Sequence, residues 1–189
     1  MPDRPSIAGR RRLLSASLAF VATTWIGAAR SAEGDAEFRT IVWDDLIPAD
    51  WDPFKHFNVS RIGALMDGSP EAVKMMRALR ESWDNAPVRP ELGGQRVRLP
   101  GYVVPLDEVK GGLKEFLLVP YFGACIHVPP PPANQIVHAI SATPLKLRTM
   151  DAIWASGTLS TGRSDSIMGT SGYRMQVRAV EPYTAPAGK

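Results

Sequence analysis

The chain has 189 residues, 44% of them hydrophobic and 22% charged, with 16 Gly, 17 Pro and one Cys. Those proportions exclude disorder, collagen and coiled coil, a lone cysteine excludes an intrachain disulfide framework, and the length suits one domain with a modest core. The formal charge of +3 belongs to residues 1–32, where Arg4, Arg10, Arg11, Arg12 and Arg30 face only Asp3; residues 33–189 carry 17 basic and 18 acidic side chains, which leaves no electrostatic footprint for nucleic acid.

Residues 1–32 read as a signal peptide. Arg10, Arg11 and Arg12 precede Leu13 and Leu14, a mildly apolar stretch follows to Ala29, and small residues then place a cut between Ala29 and Glu33. The apolar run is shorter and more polar than the ~20 residues of a membrane-spanning helix. Arginines followed by one free position and two leucines resemble a twin-arginine signal, a route that carries folded cargo. No cysteine lies near the cut, so no lipid-modified cysteine is expected there. The expectation is a soluble periplasmic protein with no membrane anchor after cleavage.

The next segment, 33–62, carries Trp43, Leu46, Ile47, Trp51, Phe54 and Phe57 among prolines and aspartates, with no sustained periodicity. It reads as an irregular or short-helical wrap that lodges its aromatics in a neighbouring core. A helix follows: Ser69 caps it, Pro70 fits its first position, Glu71 faces the positive end of its dipole, and Asn85, Ala86 and Pro87 stop it. Ala72, Met76, Leu79 and Trp83 give it one apolar stripe, and Met75 and Met76 are helix packing rather than a copper box. From Gln95 the period becomes two. Strands are expected over 95–104, 115–121, 135–141, 152–160 and 173–180, with Gly101 bulging or bending the first and Gly111 and Gly112 turning it into the second. The expected fold is mainly β: an OB-like antiparallel β-barrel of five strands plus the helix over 63–189, forming one domain with the wrap. An open antiparallel sheet with the helix on one face is the alternative.

One stretch stands apart. Residues 115–138 read EFLLVPYFGACIHVPPPPANQIVH, an apolar strand running into Cys125, His127 and the prolines Pro129, Pro130, Pro131 and Pro132. Four prolines hold a stiff polyproline II arm that fixes the direction of its flanks. On an extended backbone, Cys125 and His127 leave one face together, and a thiolate beside an imidazole suits zinc or copper. One cysteine and three histidines in the whole chain do not make a closed four-ligand site, so such a site is open, completed by carboxylate or water, or shared with a partner. The bland reading makes Cys125 a small buried hydrophobe. His138 alternates with Ile136 and Ile140 as a satisfied core or barrel-mouth histidine, and His56 packs among aromatics. Asn134 and Gln135 either bind ligand or hydrogen-bond the free carbonyls of the arm. No Gly-x-Ser-x-Gly elbow, His-Glu-x-x-His, phosphate loop or dinucleotide fingerprint occurs, and no sequence argument pairs two carboxylates, so an enzyme has no positive support.

The run 122–135, together with residues 103–105 and Trp43, Leu46 and Pro48, resembles the bacterial exported family called domain of unknown function 3299 (DUF3299), over about residues 38–182. The resemblance implies an OB-type barrel, a periplasmic or envelope location, and, for some members, company with transporter components in zinc-responsive operons. It implies no reaction, and this chain lacks the acylated cysteine of the lipoprotein members. The first functional expectation is an accessory binding protein in periplasmic zinc or other transition-metal homeostasis, partnered by a transporter component or another envelope protein. A structural or protein-interaction module without metal is the second, and a thiol-dependent enzyme with Cys125 and His127 is the third.

Overall fold

The computed structural model describes residues 38–55, 68–107, 109–126 and 130–184. The leader, His56, His127 and Pro129 lie outside the described residues. In chain order come strand β1 (Arg39–Thr40), a 3-10 turn (Trp43–Leu46), helix α1 (Pro70–Asp84), a second 3-10 turn (Pro90–Leu92), and strands β2 (Arg96–Pro105) and β3 (Leu113–Val119). A third 3-10 turn (Ala133–Gln135) leads to β4 (Val137–Leu145), β5 (Ala152–Ser166) and β6 (Gly169–Pro182).

The helix begins and ends on its sequence signals. Ser69 Oγ accepts from the Ala72 N–H at 3.2 Å, Pro70 occupies the first turn, and Asn85 closes the other end by donating from Nδ2 to the Glu81 carbonyl at 2.8 Å. Its apolar stripe is narrower than expected. Leu79 is its buried residue, whereas Met76 is 51% exposed. The helix is held at its C-terminus instead, where Arg163 Nη1 donates to the Asp84 carbonyl at 2.5 Å and to Asn85 Oδ1 at 3.1 Å.

The sheet is mixed, which corrects the antiparallel expectation. β2–β3, β2–β5, β3–β4 and β5–β6 are antiparallel, but β1 runs parallel to β2 and β4 parallel to β6. The lateral order is β1-β2-β3-β4-β6-β5, and β5 returns to pair with β2, so the pairings from β2 to β6 form a ring. β4 and β6 become parallel neighbours because β5 lies between β6 and β2 in that ring. The two longest strands, β5 and β6, pair through Ser166↔Gly169 across a two-residue turn. Residues 161–172, which no strand was expected to include, are thus a hairpin.

Alternation along the strands separates two apolar clusters. Phe116, Leu118, Val137, Ala139, Tyr173 and Met175 belong to the main core, along with Ile41 and Leu46 from the wrap. Leu117 and Val119 point the other way, into a second cluster with Val104, Ala124 and Ile136. Both faces of β3 are therefore buried, which is why its sequence is a continuous apolar run rather than an alternating one. The second face is covered by the segment that follows β3.

Gly101 is not a bulge. The ladder runs unbroken from Leu99↔Ala155 through Gly101↔Ile153 to Tyr102↔Ala152, and at Tyr102 the strand takes up β3 as well, opposite Val119. A Cβ at Gly101 would sit 2.8 Å from both Leu118 Cγ and the Val119 carbonyl oxygen, so glycine is required by close approach where one strand pairs with two. We expect Gly101→Val to lower unfolding free energy by about 1–3 kcal/mol through overpacking. A urea midpoint equal to that of the unsubstituted protein would show that the strands separate there at no cost.

Candidate functional site

The covering segment starts as β3 ends. Ala124 N–H donates to the Tyr121 carbonyl at 3.4 Å and Ile126 N–H to the Gly123 carbonyl at 3.2 Å, so two tight turns follow each other. They demand positive φ at Gly123 (84°) and at Cys125 (65°). A left-handed conformation is ordinary for glycine and uncommon for cysteine. Among the described residues, the other non-glycine residue at positive φ is Met150 (64°), whose Sδ accepts from the Gly123 N–H at 3.1 Å. Cys125 and Met150 both pack on the second apolar cluster. The strained positions of the described fold thus meet on one small patch.

This geometry corrects one premise of the metal reading. At a φ of 65° Cys125 lies in a turn, so the period-two rule that put Cys125 and His127 on one face does not apply there. Burial pushes the Cys125 thiol up to about 11, with Arg80 opposing the shift. A neutral thiol is neither a nucleophile nor a metal ligand until it loses its proton. Among the described residues, no three His, Cys, Asp or Glu side chains gather at metal-binding distance.

Past the turns the arm is clamped from several sides. Arg80, ion-paired to Asp84 at 2.9 Å, donates to the Pro130 carbonyl at 3.4 Å, and Pro131 is buried. The 3-10 turn that follows uses the Pro132 carbonyl for its own Gln135 N–H at 2.8 Å. Gln135 thus serves one arm carbonyl through its backbone N–H, while the side chains of Asn134 and Gln135 reach carbonyls outside the arm. Asn134, fully buried, donates from Nδ2 to the Pro87 carbonyl at 3.0 Å, and Gln135 donates from Nε2 to the Trp43 carbonyl at 2.8 Å. Asn134 Oδ1 is buried without a partner. Trp43 passes the tie onward, its indole N–H donating to the Pro100 carbonyl at 2.7 Å. Among its described residues the segment leaves Tyr121, Phe122 and Ile126 in solvent, with Phe122 at 65% exposure and stacked edge-on against Tyr102 at 5.8 Å.

His138 is buried and satisfied, as expected of a histidine between Ile136 and Ile140. Its partners were not legible in the sequence: Nδ1 lies 3.0 Å from Ser164 Oγ and Nε2 lies 3.1 Å from Glu115 Oε2. Strand register brings these three together from β3, β4 and β5. A cleft of about 410 Å³ is lined by Asn85, Val88, Ala133, Gly162, Arg163 and Ser171, among others; Ser164 follows Arg163 in the chain but does not itself line it.

The family model described as "Protein of unknown function (DUF3299)" matches residues 43–182, from the first residue of the Trp43–Leu46 turn to the last residue of β6. The chain belongs to the DUF3299 family. Its match takes in the strand ring and the whole covering segment. Among solved structures, a crystal structure of a DUF3299 family protein from Pseudomonas aeruginosa PAO1 is similar at 38% sequence identity and a TM-score of 0.63. The likeness covers 80% of this chain and 99% of that one. No curated protein matches the chain. Among the described residues of this DUF3299 protein, no helix is long and apolar enough to cross a membrane.

The raised thiol yields a direct expectation. Iodoacetamide should alkylate Cys125 of the native protein slowly at neutral pH, with the rate still climbing as pH rises towards about 11. A rate that has levelled off by about pH 8, near the value of a free thiol, would mean that burial does not govern the group.

Proposed function

We propose that this protein is an exported accessory binding protein of the bacterial envelope, built on a small OB-type barrel, and that its covering segment presents a protein-binding surface to an envelope partner such as a transporter component. The barrel reading is supported by the ring itself. Counting β2 to β6 as first to fifth, the order is first, second, third, fifth, fourth and back to first, with the third and fifth parallel, which is the Greek-key order of OB-type barrels.

The observation that carries the binding reading is the contrast within one segment. Asn134 and Gln135 are tied to carbonyls of distant segments and the Pro130 carbonyl accepts from Arg80, while Tyr121, Phe122 and Ile126 stand in solvent next to a cysteine held at positive φ. Strained backbone is retained where it positions something, and exposed aromatics on a rigid base are the anchors of protein interfaces. In this reading Cys125 is a packing residue under the anchors. The metal reading needs Cys125 as a thiolate with His127 and a ligand from elsewhere, and burial of the thiol weighs against it.

Export through the leader, twin-arginine or otherwise, completes the proposal and would place the surface among periplasmic partners. A photo-crosslinking residue at Phe122 should give a discrete adduct in cells, while one at Ile167, which is 98% exposed, should not. Equal patterns at the two positions would contradict a surface at Phe122. In parallel, zinc should bind more weakly than about 0.1 mM between about pH 6 and pH 8. Tighter binding that Cys125→Ala abolishes would replace this reading with metal homeostasis.

A further inference from the structure

The hydrogen-bonded array of Glu115, His138 and Ser164 has a direction. A carboxylate only accepts, so the 3.1 Å contact requires a proton on His138 Nε2. In the neutral imidazole that leaves the lone pair on Nδ1, 3.0 Å from Ser164 Oγ, where it accepts the serine hydroxyl. Acid, imidazole and hydroxyl are thus in the sequence that a general base uses to activate an alcohol, with the two ring nitrogens exchanged relative to the serine-protease arrangement. His138 is 8% exposed and hydrogen-bonded at both ring nitrogens, so its ring is fixed, while Ser164 is half-buried.

The residues that precede Ser164, rather than Ser164 itself, border a cleft that could take a substrate. β5 bulges between Thr161 and Ser164, which leaves Gly162 and Arg163 without register partners on β6. Both line the cleft, as does Ser171, the register partner of Ser164. A Cβ at Gly162 would meet nothing within 4 Å, so the bulge faces open space.

We propose that Ser164 is a nucleophile for acyl transfer, that His138 is its general base, and that the substrate class is a carboxylic ester whose acyl part enters the cleft at the bulge. Ser164 Oγ bonds to the ester carbonyl carbon as its proton passes to His138 Nδ1, leaving an oxyanion on the former carbonyl oxygen. The bond from that carbon to the alcohol oxygen then breaks, and the proton on Nδ1 moves to the departing oxygen. Water attacks the acyl-serine, giving one proton to Nδ1, which returns it to Ser164 Oγ as the carboxylic acid leaves. Glu115 touches no substrate and acts as a positioning residue that fixes the imidazole tautomer.

The test uses the full chain with a fluorophosphonate probe and p-nitrophenyl acetate. The expected result is covalent labelling at Ser164 and ester turnover, both reduced at least about 100-fold in Ser164→Ala and in His138→Gln. Ser164→Ala with an unchanged thermal midpoint separates loss of chemistry from loss of fold. Ser164→Cys, which keeps a nucleophile beside His138, should be alkylated by iodoacetamide faster than Cys125 is. Glu115→Gln should lower kcat while leaving KM in place, a split that a merely structural role would not produce. An unlabelled native chain, or labelling and turnover that survive Ser164→Ala, would overturn the proposal. The site uses none of Tyr121, Phe122 or Ile126, so its failure would leave the binding surface standing.

Discussion

The buried hydroxyl of Tyr173 is the contact on which the described fold converges. It accepts from the Arg89 N–H at 2.6 Å and donates to the Leu46 carbonyl at 2.8 Å, joining β6 to the wrap and to the connection after the helix. Burial pushes the phenol above its ordinary value, so it remains a protonated donor. Arg89 reinforces the junction by donating from Nη1 to the Asp45 carbonyl at 2.8 Å. Breaking a buried pair of this kind strands polar groups away from water, at roughly 1–3 kcal/mol each. A wrap with little regular structure of its own becomes part of the domain through such ties.

The covering segment is built by the same device. Gln135 holds the Trp43 carbonyl and Trp43 holds the Pro100 carbonyl, so the segment, the wrap and β2 form one hydrogen-bonded chain. The prolines contribute stiffness without asking for donors, and the helix meets the arm through Arg80. On that base the two consecutive turns around Gly123 and Cys125 hold an unfavourable φ, and the aromatics beside them are kept in water. The DUF3299 sequence match ends where β6 ends and includes every partner in these ties, so the signature run is legible as an architectural element first and a binding element through it.

Local signals were legible in the sequence and nonlocal ones were not. The cap at Ser69, the proline after it and the stop at Asn85 depend on a few neighbouring residues, and they are realised as read. The change of period near Gln95 announced β2, and the apolar run after Glu115 announced β3. Met76 was misassigned because a periodic stripe says nothing of how wide the contact beneath it is. The hairpin over 161–172 escaped because much of it is solvent-facing and polar, with no alternation to see. Parallel pairing of β4 with β6 and the meeting of Glu115, His138 and Ser164 both follow from register, which a single sequence does not carry. Cys125 shows the sharpest limit. Spacing suggested an extended strand, whereas packing on the second cluster holds it in a left-handed turn that its residue type does not advertise.

The central claim is that wrap, covering segment and strands are one cooperative unit closed by Tyr173. Residue-resolved hydrogen exchange of Tyr173→Phe against the unsubstituted protein tests it most directly. The amides of Ile41, Asp45, Arg89 and Gln135 donate to Arg98, Val42, the Tyr173 hydroxyl and Pro132 respectively, so they sample the wrap, the junction and the covering segment. The account predicts that all four lose protection together, by a common factor that matches the fall in global stability. Loss confined to Arg89, with Ile41, Asp45 and Gln135 exchanging as before, would contradict it.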